Sequence, residues 1–369
     1  MKNILVLGNS AIGLYKFRKE VVQALRTHYR VTIAVPDNGF SAELERAGIA
    51  IRVTPLDRRG MNPIKDFVLL WRYFSLVRQY KPDVILTYTV KPNIYGNFIA
   101  RVTRVPVITT ITGTGDAFDS QGMGSQLVRL LYKLALQKTK VVMFQNRVDR
   151  KQFETLGIIH GKQSVHSVPG SGVNMSDYPA LAYPTAVDPT FLFVGRKLKS
   201  KGIEHILNAT YRLKEKYAFR MVLVGPNEEQ ADLNERIAQA VEDGVIENIG
   251  LTNHVEAYIA DAHCILMPSY KEGMSNVILE GAASGRPILT TNVAGCREAV
   301  DPDVTGLLCE ARNDDAVYAM MERFINMNQA ERELMGLRAR HFVEQRFDRQ
   351  LVIEQVLASV EELLGDCET

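Results

Sequence analysis

Two carboxylates, Glu272 and Glu280, bracket the run Gly273-Met274-Ser275-Asn276-Val277. An apolar run from His263 to Met267 precedes them and reads as a buried strand. The run 273–277 leads into a helix that closes at Gly285, ahead of Pro287. A loop passing from strand to helix leaves backbone N–H groups unpaired, with the positive end of the helix dipole behind them. Gly273 lets the backbone approach a ligand closely, and Ser275 or Asn276 can cap the helix. Eight helical residues rise by about 12 Å, the length of a diphosphate flanked by a sugar and a ribose. One carboxylate would then hold hydroxyls of a transferred sugar and the other the ribose, with phosphate on the N–H groups between them. An ordinary capped amphipathic helix with Glu280 in solvent fits the same residues.

A second cluster is basic. After the apolar run Phe191–Val194, the chain reads Gly195-Arg196-Lys-Leu-Lys-Ser-Lys201-Gly202, and a helix follows from Ile203. Arg196 leaves the end of a strand and Lys201 stands just before a helix. Such a pair suits phosphate oxygens, because charge-assisted hydrogen bonds are the strong ones. A solvated basic turn is the plainer alternative.

These residues need a frame. The chain alternates short apolar runs with helices of 10–18 residues: Asn3–Leu7, Val31–Val35, Ile51–Thr54, Val84–Thr87, Val107–Ile111 and Val141–Phe144 are strands, and helices run after Gly13 through Leu25 and from about Pro63 to Tyr80. That alternation predicts an α/β protein with a parallel sheet carrying helices on both faces. At 369 residues, two domains are expected. The pattern breaks at Pro169–Asn174 and along the Pro- and Ala-rich stretch 178–189, which places a first domain at 1–180 and a second at 187–345, with 346–369 as a terminal helical segment.

The first of these domains carries weaker signals. Gly8-Asn-Ser-Ala-Ile-Gly13 follows a strand, but Leu14-Tyr15 stands where a phosphate loop has Lys-Ser or Lys-Thr, so ATP or GTP hydrolysis is disfavoured. A dinucleotide fingerprint would need glycine at Ser10. Asp37 falls near its ribose position, so NAD stays open. Otherwise Gly13 belongs to a loop that meets a sugar or phosphate, or to a plain tight turn. Thr112 and Asp116 follow another strand, and Lys91, Tyr15 and Arg18 can together receive an anionic acceptor, or are simply loop charges in solvent. The helices around 67–77 and 127–134 carry apolar stripes interleaved with Arg72, Arg78, Arg129 and Lys133. Such stripes pack on a sheet, and basic ones also suit an anionic membrane face.

With 44 basic and 42 acidic side chains, the net charge of +2 offers no field for nucleic acid. Cys264, Cys296, Cys309 and Cys367 are widely spaced, without a Cys-x-x-Cys, and read as reduced thiols of a cytosolic protein. Histidines and acids form no metal-ligand spacing. The N-terminus lacks a signal-peptide layout, and no run approaches the ~18 apolar residues of a spanning helix. The chain is expected to be soluble, or at most attached to a membrane face.

Gly195-Arg196-x4-Lys201-Gly202 together with Glu272-Gly273-x6-Glu280 and Asn-Val-Ile-Leu-Glu-Gly-Ala-Ala-Ser-Gly-Arg-Pro closely resembles the retaining glycosyltransferases of family 4. The resemblance implies the GT-B fold, two facing Rossmann-like domains with a cleft between them, the last helix returning to the first domain. It implies that Arg196 and Lys201 bind the donor diphosphate, Glu280 the ribose and Glu272 the sugar hydroxyls, with N–H groups from Gly273 to Val277 on phosphate and sugar. The region 250–254 would lie near the base. Two departures stand out: Ala11-Ile12-Gly13 replaces a Gly-Gly pair, and Thr112-Gly-Thr-Gly115 replaces a histidine, so no side-chain base is assigned. With Thr89-Val-Lys-Pro-Asn-Ile-Tyr-Gly96, they look like the subgroup that extends a sugar on undecaprenyl diphosphate at the cytoplasmic membrane face. Such an enzyme moves an N-acetylhexosamine such as GalNAc from a UDP-sugar, with no cofactor and no metal.

Glycosyl transfer sheds a diphosphate as positive charge builds at the anomeric carbon, so fixed donors on the leaving group are the economical catalyst. Paired-carboxylate hydrolysis is disfavoured, since Glu272 and Glu280 are spaced for two ends of a ligand and not for one bond. A nucleotide-sugar 2-epimerase of the same fold, an NAD dehydrogenase and a catalytically silent sugar-nucleotide-binding subunit are the rival readings.

Overall fold

The structure is a computed structural model that describes residues 1–37, 39–57, 62–114, 118 and 122–365. The chain divides into two units, residues 1–171 with 350–369, and residues 172–349. In the first, seven parallel strands run β1 Asn3–Leu7, β2 Arg30–Val35, β3 Ala50–Val53, β4 Val84–Tyr88, β5 Val107–Ile111, β6 Val141–Phe144 and β7 Ser164–Ser167. They lie in the order β3-β2-β1-β4-β5-β6-β7. Alternation along β1 separates two apolar layers: Ile4 and Val6 face the helix Ala11–Arg26, while Leu5 and Leu7 face Leu69, Tyr73 and Val77 of the helix Pro63–Tyr80. The terminal helix Arg349–Gly365 sets Val352, Val356 and Val360 into the first of those layers, so the end of the chain completes the core that its beginning opens.

The second unit has six parallel strands: β8 Thr190–Val194, β9 Arg220–Val224, β10 Glu247–Gly250, β11 Cys264–Met267, β12 Ile288–Thr291 and β13 Gly306–Cys309. Their order is β10-β9-β8-β11-β12-β13. The stretch 178–189 belongs to this unit. Tyr183 stands edge-on to His263 and donates to its carbonyl at 2.8 Å, and the buried Arg286 reaches Ala182 O at 2.9 Å. A Pro-rich composition reads as a linker, but here one aromatic ring and one guanidinium tie it to the sheet.

Each sheet reverses direction once, between β1 and β4 and between β8 and β11. Loops leaving two adjacent strands toward opposite sides open a crevice at the carboxyl edge, where doubly wound sheets hold ligands. In the second unit, Arg196 and Lys201 follow β8, and Glu272 follows β11. In the first, Gly13 follows β1, and Lys91 follows β4. Within each sheet, the topology therefore brings residues far apart in sequence to one edge.

Candidate active site

The helix Asn276–Ala283 starts directly after the loop that leaves β11. Its Ser275 cap accepts no side-chain hydrogen bond, and the first turn holds no acidic residue. Ser275 is one of the two caps expected from the sequence; its own N–H instead donates to Gly295 O at 3.0 Å, which seats the loop. Asn276, the other, lies inside the helix, and its Oδ1 is buried with no partner among the described residues. The first-turn N–H groups from Asn276 onward are thus left to an external acceptor, with the dipole in support.

Two glycines fix the approach of the loops. Gly202 (φ +76°) lies so close to Pro268 that an added Cβ would stand 2.2 Å from its carbonyl oxygen. Gly295 (φ +76°) would place a Cβ 2.4 Å from Glu272 O. Only residues without a side chain allow this packing, and both φ values favour glycine. The result joins the two functional clusters: Lys201 Nζ donates to Glu272 Oε1. Ser269 Oγ donates to the same oxygen at 2.8 Å, and Glu272 N–H to Ala294 O at 3.1 Å. The Lys201 and Glu272 side chains are 21% and 13% exposed, so the pair borders solvent without being dissolved in it.

Behind this pair stands a buttress. Tyr270 N–H donates to Ser200 O at 2.9 Å, next to Lys201. Asp314 accepts from His205 Nδ1, leaving His205 Nε2 to accept from the Tyr270 hydroxyl at 2.7 Å. Burial pushes the Asp314 carboxyl up, but bonds from His205 and Asn208 outweigh it and hold the group below its ordinary range. The neighbouring Cys296 thiol is pushed up to about 12, first by burial and then by the Glu272 charge.

Arg196 lies elsewhere on the same edge. It is half exposed and its Nη1 bonds Glu228 Oε1 at 3.2 Å. Next to it, Lys197 is fully buried with Nζ on Gly225 O, and burial pushes its ammonium down to about 8. Lys197 ties the β8 loop to the β9 loop, leaving Arg196 as the outward cation. Glu280 is part-buried, four residues into its helix, and bonded by the Tyr178 hydroxyl. Burial, then Glu280, pushes that hydroxyl well above its ordinary value. Arg340 Nη1 pins the Tyr178 carbonyl at 3.0 Å. Gly195, Gly273 and Met274 fall on the loops just described, with Met274 buried in the core, and Val277 lies in the first turn of the helix Asn276–Ala283.

The first-unit candidates are more dispersed. Gly13 is in the first turn of the helix Ala11–Arg26 and its N–H donates to Ser10 Oγ at 3.1 Å, so Ser10 caps the helix in place of a ligand. Lys91 Nζ bonds Asp66 at 2.6 Å, and both side chains are largely buried, so its charge is already matched. Tyr15 packs on Phe40, and the Arg18 guanidinium lies 4.4 Å from the centre of the Tyr88 ring. Thr112 is half-buried just past β5. Asp116 lies outside the described residues.

Ser269, Glu228 and Tyr178 escape a reading of the sequence pattern, and so does the backbone conformation of Thr89, the first residue of the motif 89–96. Thr89 sits between β4 and the helix Val90–Thr103 at φ +73°, ψ 166°, a conformation that costs a β-branched residue about 1–3 kcal/mol and clusters at ligand edges. Nothing in the local sequence signals it. Tyr178 is hidden by the proline-rich composition around it.

Comparison with known proteins decides the family. Residues 188–327 match the family described as glycosyl transferases group 1, and residues 3–146 match glycosyl transferase 4-like. The chain belongs to the family 4 glycosyltransferases. An N,N'-diacetylbacillosaminyl-diphospho-undecaprenol alpha-1,3-N-acetylgalactosaminyltransferase from Campylobacter jejuni is 25% identical over 332 residues, 83% of this chain and 85% of that one. The capsular polysaccharide biosynthesis glycosyltransferase CapM of Staphylococcus aureus is 23% identical over 326 residues, 84% and 85% of the two chains. Among solved structures, Anabaena HepE with UDP and glucose superposes with a TM-score of 0.81 at 17% identity, covering 98% of this chain and 100% of that one. Sucrose-phosphate synthase from Thermosynechococcus elongatus gives 0.79 at 17%, covering 99% and 100%. The fold of this glycosyltransferase is therefore GT-B.

Proposed function

We propose that this glycosyltransferase moves an N-acetylhexosamine, with retention of configuration, from a UDP-sugar to a saccharide linked to a polyprenyl diphosphate, working at the cytoplasmic face of the membrane. The observation that carries the donor site is the Lys201–Glu272 pair beside an uncapped helix N-terminus. A cation, an anion held at fixed distance from it, and the first-turn N–H groups of a helix match a diphosphate that carries a sugar. Lys201 and Arg196 take the phosphate oxygens, the N–H groups of Asn276 and Val277 at the helix start share them, Glu272 accepts from sugar hydroxyls, and Glu280 accepts from the ribose. Gly195 keeps the β8 loop clear of the phosphates.

In the reaction, the bond from the anomeric carbon to the phosphate oxygen breaks, and one from that carbon to the acceptor hydroxyl oxygen forms on the same face. The hydroxyl proton passes to the departing phosphate oxygen, and UDP leaves. Cations and helix N–H groups act on charge as it develops there, which is where fixed dipoles count most. The acceptor class is supported by the activity that the Campylobacter relative is named for and by the subgroup motif 89–96. Tyr15, Arg18, Lys91, Thr112 and Asp116 are the acceptor-side candidates. Gly13, in the first turn of the helix Ala11–Arg26, lies at the same sheet edge.

The test is a matrix of UDP-sugars against an undecaprenyl-diphosphate monosaccharide, read by mass and by the anomeric configuration of the product. One added N-acetylhexosamine with the donor's configuration is the expected result. Donor binding seen as a raised melting temperature, with no transfer to any lipid-linked acceptor, would overturn the reading.

A further inference from the structure

The helices Pro63–Tyr80 and Met123–Leu136 each have two apolar faces. One is spent on the fold: Leu69, Tyr73 and Val77 in the first helix, Val128, Tyr132 and Ala135 in the second. The other points outward. Ile64, Phe67, Val68 and Trp71 follow one another at helical spacing in the first, with Phe67 70% and Trp71 65% exposed. Met123, Leu127, Leu130 and Leu134 do the same in the second, with Met123 87% exposed. Both helices pack against the intervening helix Val90–Thr103, so their outer stripes belong to one layer of the first unit. In a parallel α/β unit, helices run opposite to the strands. The amino-terminal halves, which carry Phe67, Trp71 and Met123, therefore lie toward the carboxyl edge of the sheet, where Lys91 and Thr112 sit. A surface helix needs one apolar stripe to fold, so a second outward stripe marks a surface that binds something.

The charges say what. The two helices hold five basic residues (Lys65, Arg72, Arg78, Arg129, Lys133) and one acid, Asp66, which Lys91 neutralises. Lys138 and Lys140 stand just beyond the second helix and are exposed. Apolar side chains rimmed by excess cations match the boundary of an anionic bilayer, with acyl chains below and phosphates above. A groove of about 570 Å³ alongside, lined by Leu56, Val68 and Leu69 together with Arg72, Asp66 and the Lys65–Asp57 pair, leaves room for one lipid chain. Among the described residues, no helix is long and apolar enough to cross a membrane, so attachment of this kind lies along the surface.

We propose that this two-helix face docks the first unit onto anionic lipid, which brings the acceptor edge to a substrate anchored in the same bilayer. The proposal rests on the lipid-linked acceptor of the proposed function, and its test separates the two.

Trp71 is the single tryptophan of the chain, so its emission reports on this face alone. On adding phosphatidylglycerol–phosphatidylcholine vesicles, its emission should shift to the blue and the protein should sediment with them. Vesicles of phosphatidylcholine alone should bind roughly tenfold less, and raising salt from about 0.1 M to about 1 M should release the protein. The double variant Phe67→Ser, Leu130→Ser should lose sedimentation and turnover on vesicle-borne acceptor. It should keep its melting temperature and its turnover on a water-soluble short-chain acceptor. Absence of a blue shift with anionic vesicles, or a variant that sediments like the parent, overturns the docking face whatever the enzyme transfers. A parent that dimerises and a double variant that is monomeric, with no lipid response, would assign the face to a second copy instead. Loss of turnover on the soluble acceptor by the parent would count against the transfer reading and leave the docking result standing.

Discussion

Lys201 and Glu272 are 71 positions apart, and the Lys201 ammonium donates directly to the Glu272 carboxylate. One arrives after β8 and the other after β11, which are neighbours at the point where the sheet reverses. Neither residue caps or fills a core. Their contact is a consequence of strand order, and it puts a cation and an anion at the start of a helix that lacks a cap of its own.

Lys201→Ala should lower kcat by about 100- to 1,000-fold, the usual cost of losing one fixed donor to a developing charge. Arg196→Ala should follow the same direction. Because the Arg196 side chain is half exposed and paired only at the surface, its loss should leave the melting temperature within a few degrees of the parent. Steady-state kinetics beside thermal unfolding checks both halves. Unchanged turnover in both variants would remove the leaving-group role.

Tyr178→Phe deletes the hydroxyl that bonds Glu280 and little else, since the carbonyl of residue 178 stays pinned by Arg340. A lost hydrogen bond of about 1 kcal/mol on the carboxylate proposed to hold the ribose should raise the donor KM by several-fold with kcat nearly unchanged. A fall in kcat at constant KM would place Glu280 in the chemistry instead.

Gly295→Ala should be costly at a distance from the reacting atoms. Its φ of +76° is unfavourable for alanine, and the new Cβ would collide with the Glu272 carbonyl. We expect a loss of about 1–3 kcal/mol and a fall in turnover as the Glu272 loop is displaced. Gly244→Ala is the control: it has φ +67° but open space around it. It should show the backbone cost and keep its turnover.

His263 sets a pH limit on the second unit. Its Nδ1 accepts from Thr190 N–H at 3.0 Å and its Nε2–H donates to Ala186 O at 3.1 Å, an arrangement that requires the neutral ring. Burial holds its pKa below the ordinary value of 6.5. The unfolded chain therefore takes up the proton first, and the stabilisation is complete above about pH 6.5 and declines as the pH falls below it. Denaturant unfolding between about pH 7 and pH 5 should show this loss, and His263→Asn should flatten it. A parent with equal stability across that range would remove the assignment.

Much of this protein is legible in the order of its residues. Alternating apolar runs and helices of regular length specify parallel sheets, because strands buried on both faces have to be apolar and their crossovers have to be helical. The basic pair at 196 and 201 and the carboxylates at 272 and 280 are legible as a candidate donor site, because phosphate and hydroxyl recognition demand those groups beside a loop and helix start. A linear pattern leaves open which partner each charge finds. Lys91 reads as a free cation and is neutralised by Asp66; Gly13 reads as a ligand loop and is capped by Ser10; Tyr178 reads as linker and holds Glu280. The Ser10 cap is a local contact over three residues, whereas tertiary packing decides the partners of Lys91 and Tyr178, across 25 and 102 residues of sequence. Local propensity carries no information over such separations, so only the folded chain, where side chains compete for the nearest opposite charge or donor, determines them.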